Sequence, residues 1–218
     1  MIKKLMMILG TLSLVAGLVY TPVMAQDTEE ETTEEKVVTI PDMLSEVEYV
    51  TKVKPKKKAS VYYFLRSHSN CGFCLIISGS NNAAYKEMKG KGAELIMLNC
   101  DPNTEKAKAW ADKSELNFPI VTPETKNKVK VSAEGFRGYP HVVAVTADGT
   151  LLKHGGGANE VKALLSDWKS LVKESRKIER EKRKEAEAKK KAAKKKAKKK
   201  KAKPADDEAS EEDTDLEL

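Results

Sequence analysis

The sequence predicts an α/β domain, a sheet flanked by helices, followed by a charged helical or disordered tail. Three observations carry this. The segments "ASVYYFLRS" (59–67) and "AELIMLN" (93–99) are apolar and rich in strand-forming residues, and a helix-length stretch separates them. Two further strands, 141–146 and 150–154, flank Asp148-Gly149, a strong hairpin signal. From about Lys169 the chain is almost entirely Lys, Arg, Glu and Ala, which favours helix but offers no continuing apolar face.

The N-terminus, "MIKKLMMILGTLSLVAGLVYTPVMAQ", pairs two early lysines with an apolar run and ends on small or modest residues before Gln26. That is a secretory signal pattern with cleavage expected after Ala25. The rival is an uncleaved anchor, for which the run is short of the roughly 20 residues a span needs. Export makes the mature chain periplasmic or secreted, where disulfides persist. The expected division is a signal segment over 1–25, an acidic linker over 26–40, a domain over 41–168, a Lys-rich tail over 169–203 and an acidic end over 204–218.

Within the domain, Met43, Leu44, Val47 and Val50 fall at helical spacing after Pro41, so 41–53 reads as a helix. "KPKKK" at 54–58 is a basic loop. The stretch after Cys74 reads as a helix kinked or broken near 78–82, where Gly79 lies among Ser and Asn. "DPNTEKAKAWADKSEL" reads as a turn and short helix, and "FPIVTPE" as a strand-like piece. "ANEVKALLSDWKSLV" closes the domain as one helix, with Val161, Leu164, Leu165, Trp168 and Leu171 on one face. That face is used up by about Leu171, so nothing beyond is expected to pack on the core. Trp110 and Trp168 are expected in the core.

Composition excludes two broad classes. The 218 residues hold 40 Lys and Arg against 33 Asp and Glu, a third of the chain, which is too polar for one globule of this length. Three cysteines are too few for a disulfide scaffold, and their odd number leaves at least one unpaired within the chain.

Cys71 and Cys74 lie in "SHSNCGFCLI", directly after a strand and at the start of a helix. A helix N-terminus favours thiolate, which can lower a cysteine pKa from about 8.5 into the range of about 3.5–7.5. The first cysteine then attacks, and the second, one turn inside, resolves the mixed disulfide. Zinc is the main rival, but a structural site needs four ligands and only Cys100, His68, His141 and His154 remain, with no second pair. A structural staple closing so short a loop constrains little of the unfolded chain.

The order strand, "CGFC", helix, "AELIMLNCDPN", helix and "GYPHVVAVTADGTLLKHGGG" resembles the thioredoxin superfamily. The segment "LNFPIVTPETKNKVKVSAEGFRGYP" resembles the insertion carried by its exported thiol–disulfide oxidoreductases. The resemblance covers roughly 55–168. It implies a thioredoxin-like fold, Cys71 and Cys74 as the catalytic pair, a cis Pro140 facing them, and Tyr139 and Pro140 as substrate-binding backbone. No cofactor is expected. Partners would be protein thiols or disulfides and an unidentified membrane redox partner. The chain departs from the family at Asn70, where Trp is usual, and at Phe73, where Pro is common. "VYYFLRS" also lacks the carboxylate that thioredoxin buries on this strand.

His68 and His141 are candidate modulators of the thiolate. The competing reading is a solvent-facing loop histidine at 68 and an ordinary strand residue at 141. Cys100 is expected to be a buried, unreactive thiol. The lysine run lacks interleaved aromatics, so it would bind polyanions by charge alone. Anionic lipid or a cell-envelope polymer fits an exported chain better than specific nucleic acid. The alternative function is a redox-inert binding module with this fold, tethered to the envelope by its tail.

Overall fold

A computed structural model describes residues 38–131 and 138–201, with side chains through 195. The signal-like segment 1–25, residues 26–37 of the expected linker, residues 132–137 of the inserted segment, the last two residues of the Lys-rich tail and the acidic end over 204–218 lie outside the described residues.

The elements are α1 (Ile40–Ser45), β1 (Val61–Ser67), α2 (Gly72–Met88), β2 (Ala93–Asn99), α3 (Thr104–Lys113), β3 (Ile120–Val121), β4 (His141–Thr146), β5 (Leu151–Gly156), α4 (Gly157–Ser166) and α5 (Trp168–Lys201). They form one mixed five-stranded sheet in the order β3-β2-β1-β4-β5. β1, β2 and β3 are parallel, while β4 runs against β1 and β5 against β4. This is the thioredoxin-like arrangement.

Strand alternation divides the core. Val61, Tyr63 and Leu65 of β1 join Cys74, Ile77, Tyr85 and Met88 of α2 in one cluster, with Val161, Leu164 and Leu165 of α4. Tyr62 and Phe64 face the other way, onto Ile40 and Leu44 of α1. β1 and β2 are buried on both faces, which is why they read as near-continuous apolar runs. Trp110 and Trp168 are buried, as expected.

Four expectations need correction. The first helix is six residues long, not thirteen. A capping box between Thr39 and Asp42 starts it, but Val50 N–H donates to Ile120 O and Thr122 N–H to Glu48 O, so this stretch pairs with the β3 edge instead. α2 shows no break at 78–82. Asn82 ties it to the loop after α3, donating to Glu115 O at 2.9 Å and accepting from Asn117 N–H at 3.1 Å. The closing helix is two helices with Asp167 between them.

The last correction concerns the tail. Packing does not stop at Leu171. Val172 and Ser175 are buried, and Ser175 Oγ donates to Ser60 O at 2.7 Å. Further on, Lys182 Nζ donates to Asp148 Oδ2 at 2.5 Å and to Thr150 Oγ1 at 2.9 Å. α5 is therefore a strap across one end of the sheet. It meets the residue before β1 and then the β4–β5 turn.

Candidate functional site

The site forms where β1 and β2 end side by side, with Ser67 paired to Asn99. The loop between β1 and α2 is pinned there. Ser69 donates to Asp101 Oδ1 through its N–H at 2.9 Å and its hydroxyl at 2.6 Å. Asp101 is itself held by Asn99, whose Nδ2 donates to Oδ2 at 3.0 Å and whose Oδ1 accepts Asp101 N–H at 2.8 Å. Cys100 N–H donates to Ser67 O at 2.9 Å. A buried carboxylate that accepts three hydrogen bonds thus fixes the entry to α2.

Cys71 is the N-cap of α2, and its Sγ accepts Cys74 N–H at 3.1 Å. The two cysteines are joined as a disulfide, with Cα atoms 5.1 Å apart. Their environments differ. Cys71 is half-buried, whereas Cys74 is 1% exposed and packs in the α2-side core. Phe73 and Ile76, 63% and 67% exposed, surround the motif with apolar surface.

The Tyr139–Pro140 bond is cis. Gly138 precedes it at φ +72°, a left-handed conformation that suits glycine. His141 pairs with Arg66 across β1 and β4, so Pro140 lies level with the end of β1, four residues before Cys71. Tyr139 is the hub of a small polar cluster. The His68 ring meets it edge to face at 4.7 Å, and the Arg66 guanidinium lies 5.7 Å from its ring centre. Burial raises the phenol pKa, and Cys100 as hydrogen-bond partner raises it further against the pull of Arg66.

The two candidate histidines fall in different places. His68 touches Tyr139, and its carbonyl accepts Cys71 N–H at 3.3 Å. His141 is buried and stacks on His154, ring centres 5.7 Å apart. Val142 and Ala144 pack with Cys74 while Val143 and Val145 pack in the other cluster, so alternation puts His141 on the sheet face away from Cys74. Cys100 is half-buried rather than buried, because it lies one residue past β2.

Sequence reasoning missed Arg66, Asp101 and the Cys100–Tyr139 contact. Asp101 was readable in principle, since "NCDPN" places an Asn and an Asp at turn-forming spacing after a buried strand. On the Cys74 side β1 offers no carboxylate. Its polar groups there are the Tyr63 and Ser67 hydroxyls, both buried and without a hydrogen-bond partner among the described residues. The described residues also contain no group of three or more His, Cys, Asp or Glu placed to hold a metal ion.

A model of the AhpC/TSA family matches residues 39–151. No curated protein sequence matches the chain closely enough to count as a relative. Among solved structures, a candidate thiol:disulfide interchange protein DsbE from Chlorobium tepidum is 22% identical, covering 53% of this chain and 81% of its own, with a TM-score of 0.45. StoA from Bacillus subtilis is 16% identical over 50% of this chain and 82% of its own, with a TM-score of 0.43. A thiol-disulfide isomerase from Corynebacterium glutamicum is 14% identical over 55% of this chain and 89% of its own, with a TM-score of 0.42.

Proposed function

Because the chain belongs to the AhpC/TSA family, we propose that it is an exported thiol–disulfide oxidoreductase acting on protein substrates through Cys71 and Cys74. The observation that carries this reading is the asymmetry of the pair. One sulfur caps a helix and is partly open, while the other is buried one turn inside.

In the reducing direction the Cys71 thiolate attacks a substrate disulfide, and one substrate sulfur leaves as a thiolate that takes up a proton. Cys74 loses its proton and attacks Cys71 Sγ, which expels the second substrate thiolate. The substrate ends as two thiols, and the pair ends as the disulfide seen here. The oxidising direction reverses each step. The helix N-terminus stabilises the Cys71 thiolate by its free N–H groups and dipole. Tyr139 and Pro140 are proposed to receive the substrate backbone, with Cys71 reached from the exposed side. His68 is proposed to act on Cys71 through its contact with Tyr139 and its carbonyl. His141 keeps at most an indirect role through β4. The lysine run of α5 is proposed to bind an anionic envelope component.

Trapping tests the assignment. Cys74→Ser is expected to accumulate mixed disulfides with substrate, whereas Cys71→Ser does not. Faster alkylation of Cys74 than Cys71 in the reduced protein at mildly acidic pH would reverse the roles. No exchange by either cysteine would favour the redox-inert module.

A further inference from the structure

We propose that the end of the domain opposite the disulfide is a docking surface for an anionic lipid bilayer. The chain direction separates the two ends. Cys71 follows the C-terminal end of β1, whereas the "KPKKK" loop precedes its N-terminal end. Seven strand residues place about 20 Å between those ends. β2 is parallel to β1, so the turn after α2 lies at the same end as the loop. Lys54, Lys56, Lys57 and Lys58 of the loop and Lys89 and Lys91 of the turn are all exposed.

The strap extends this cationic surface. α5 reaches Ser60 through Ser175 and then the β4–β5 turn through Lys182. Asp148, the carboxylate of that turn, is already paired with Lys182 and neutralises none of the loop lysines. Charge alone would suit any polyanion.

A cavity with a mainly apolar wall and a lysine rim favours an amphiphile. It measures about 220 Å³, and its walls include Pro41, Leu44, Val47, Tyr49 and Pro55, with Lys54, Lys56 and Lys57 also lining it. The Lys54 ammonium lies 4.2 Å from the centre of the Tyr49 ring. An apolar cavity of about 150 Å³ holds a benzene ring, so this one has room for part of an acyl chain. Phosphate headgroups satisfy the lysines and an acyl chain fills the cavity. A wholly polar polymer leaves the cavity unfilled. Docked in this way, the domain turns its cysteine pair away from the membrane; only that consequence rests on the redox reading above.

The test compares full-length protein with the Lys54→Glu/Lys56→Glu/Lys57→Glu/Lys58→Glu variant and the matching four-Gln variant, both with the tail intact. Binding is measured by co-sedimentation with vesicles of equal parts phosphatidylglycerol and phosphatidylcholine, and with phosphatidylcholine alone. The unsubstituted protein is expected to bind the anionic vesicles in a salt-sensitive way. Both variants are expected to bind at least about tenfold more weakly, since one or two surface lysines already supply that factor. The vesicle-bound disulfide should be reduced by a membrane-impermeant thiol at the rate of the free protein. Variants that bind undiminished, binding that soluble polyphosphate abolishes at matched phosphate, or reduction slowed severalfold on the vesicle would each overturn the proposal. Vesicle binding without exchange activity would sink the redox reading and leave this surface standing. Exchange without vesicle binding would do the reverse.

Discussion

Glu94→Gln should gain stability on its parent as the pH rises. Glu94 lies on β2, fully buried. Tyr85 donates to its Oε1 at 3.4 Å, a long contact, and Oε2 has no hydrogen-bond partner among the described residues. Burial pushes the carboxyl from 4.5 up to about 7, against weaker opposing effects from the Lys56 backbone, the Tyr85 hydroxyl and the Lys89 and Lys56 charges. Below about pH 4.5 the folded and unfolded chains both hold this proton, so burial carries no ionic penalty. Between about 4.5 and about 7 the unfolded chain gives it up while the folded chain keeps it, and stability falls. Above about 7 both forms are ionised and the loss levels off. At roughly 1.4 kcal/mol per pH unit, the loss between about pH 5 and about pH 8 comes to about 2–3 kcal/mol. Glutamine keeps the shape and does not titrate. Urea unfolding of both proteins at those two pH values should therefore show the variant gaining about 2–3 kcal/mol on its parent. Parallel pH dependences would refute the argument, because every other titrating group is common to both chains.

Gly92→Ala is expected to cost about 1–2 kcal/mol in urea, since a left-handed backbone disfavours a Cβ. Gly92 has φ +99°, and the added carbon would meet Arg176 Nη2 at 2.9 Å, so an unchanged midpoint would contradict the packing of α5. Truncation after Lys190 should leave the thermal transition unchanged. Truncation after Glu174, which removes Ser175 and its bond to Ser60, should lower stability by at least about 1 kcal/mol. Equal effects of the two truncations would show that the strap does not hold. Asp101→Ala strips the acceptor from Ser69 and should slow disulfide exchange while costing about 1–3 kcal/mol of stability; an exchange rate equal to the parent's would show that the pin is structural alone.

The elements legible in the sequence were those whose burial is strong and periodic. β1 and β2 announce themselves by apolar runs, and β4 and β5 by the turn between them. Elements settled by a few polar contacts were not legible. Val47 and Val50 fit a helical spacing as well as an edge pairing, and only the hydrogen bonds to Ile120 and Thr122 choose between them. Gly79 and its Ser and Asn neighbours suggest a break, yet Asn82 uses its amide to fasten α2 to a distant loop. Glu94 was hidden inside "AELIMLN", because a single charged residue in a strand does not declare which neighbours enclose it. At the site, the cysteine pair and the proline loop were legible through resemblance. The pinning by Asp101 and the meeting of Cys100 with Tyr139 needed three dimensions.

The strap also has a consequence for the order in which the molecule can be completed as it folds. Ser60 and Ser175 are 115 residues apart in the chain, and the bond between them holds α5 against the N-terminal end of β1. The sheet can pair β1 with β2 early in folding, but the rim at the N-terminal ends of these strands stays open to solvent and to other chains until α5 has closed over it through Lys182. Any shortened translation product that stops before this point would carry a nearly finished fold with an unclosed rim. Quality-control proteases would meet a substrate whose disulfide-bearing end looks mature and whose opposite end does not.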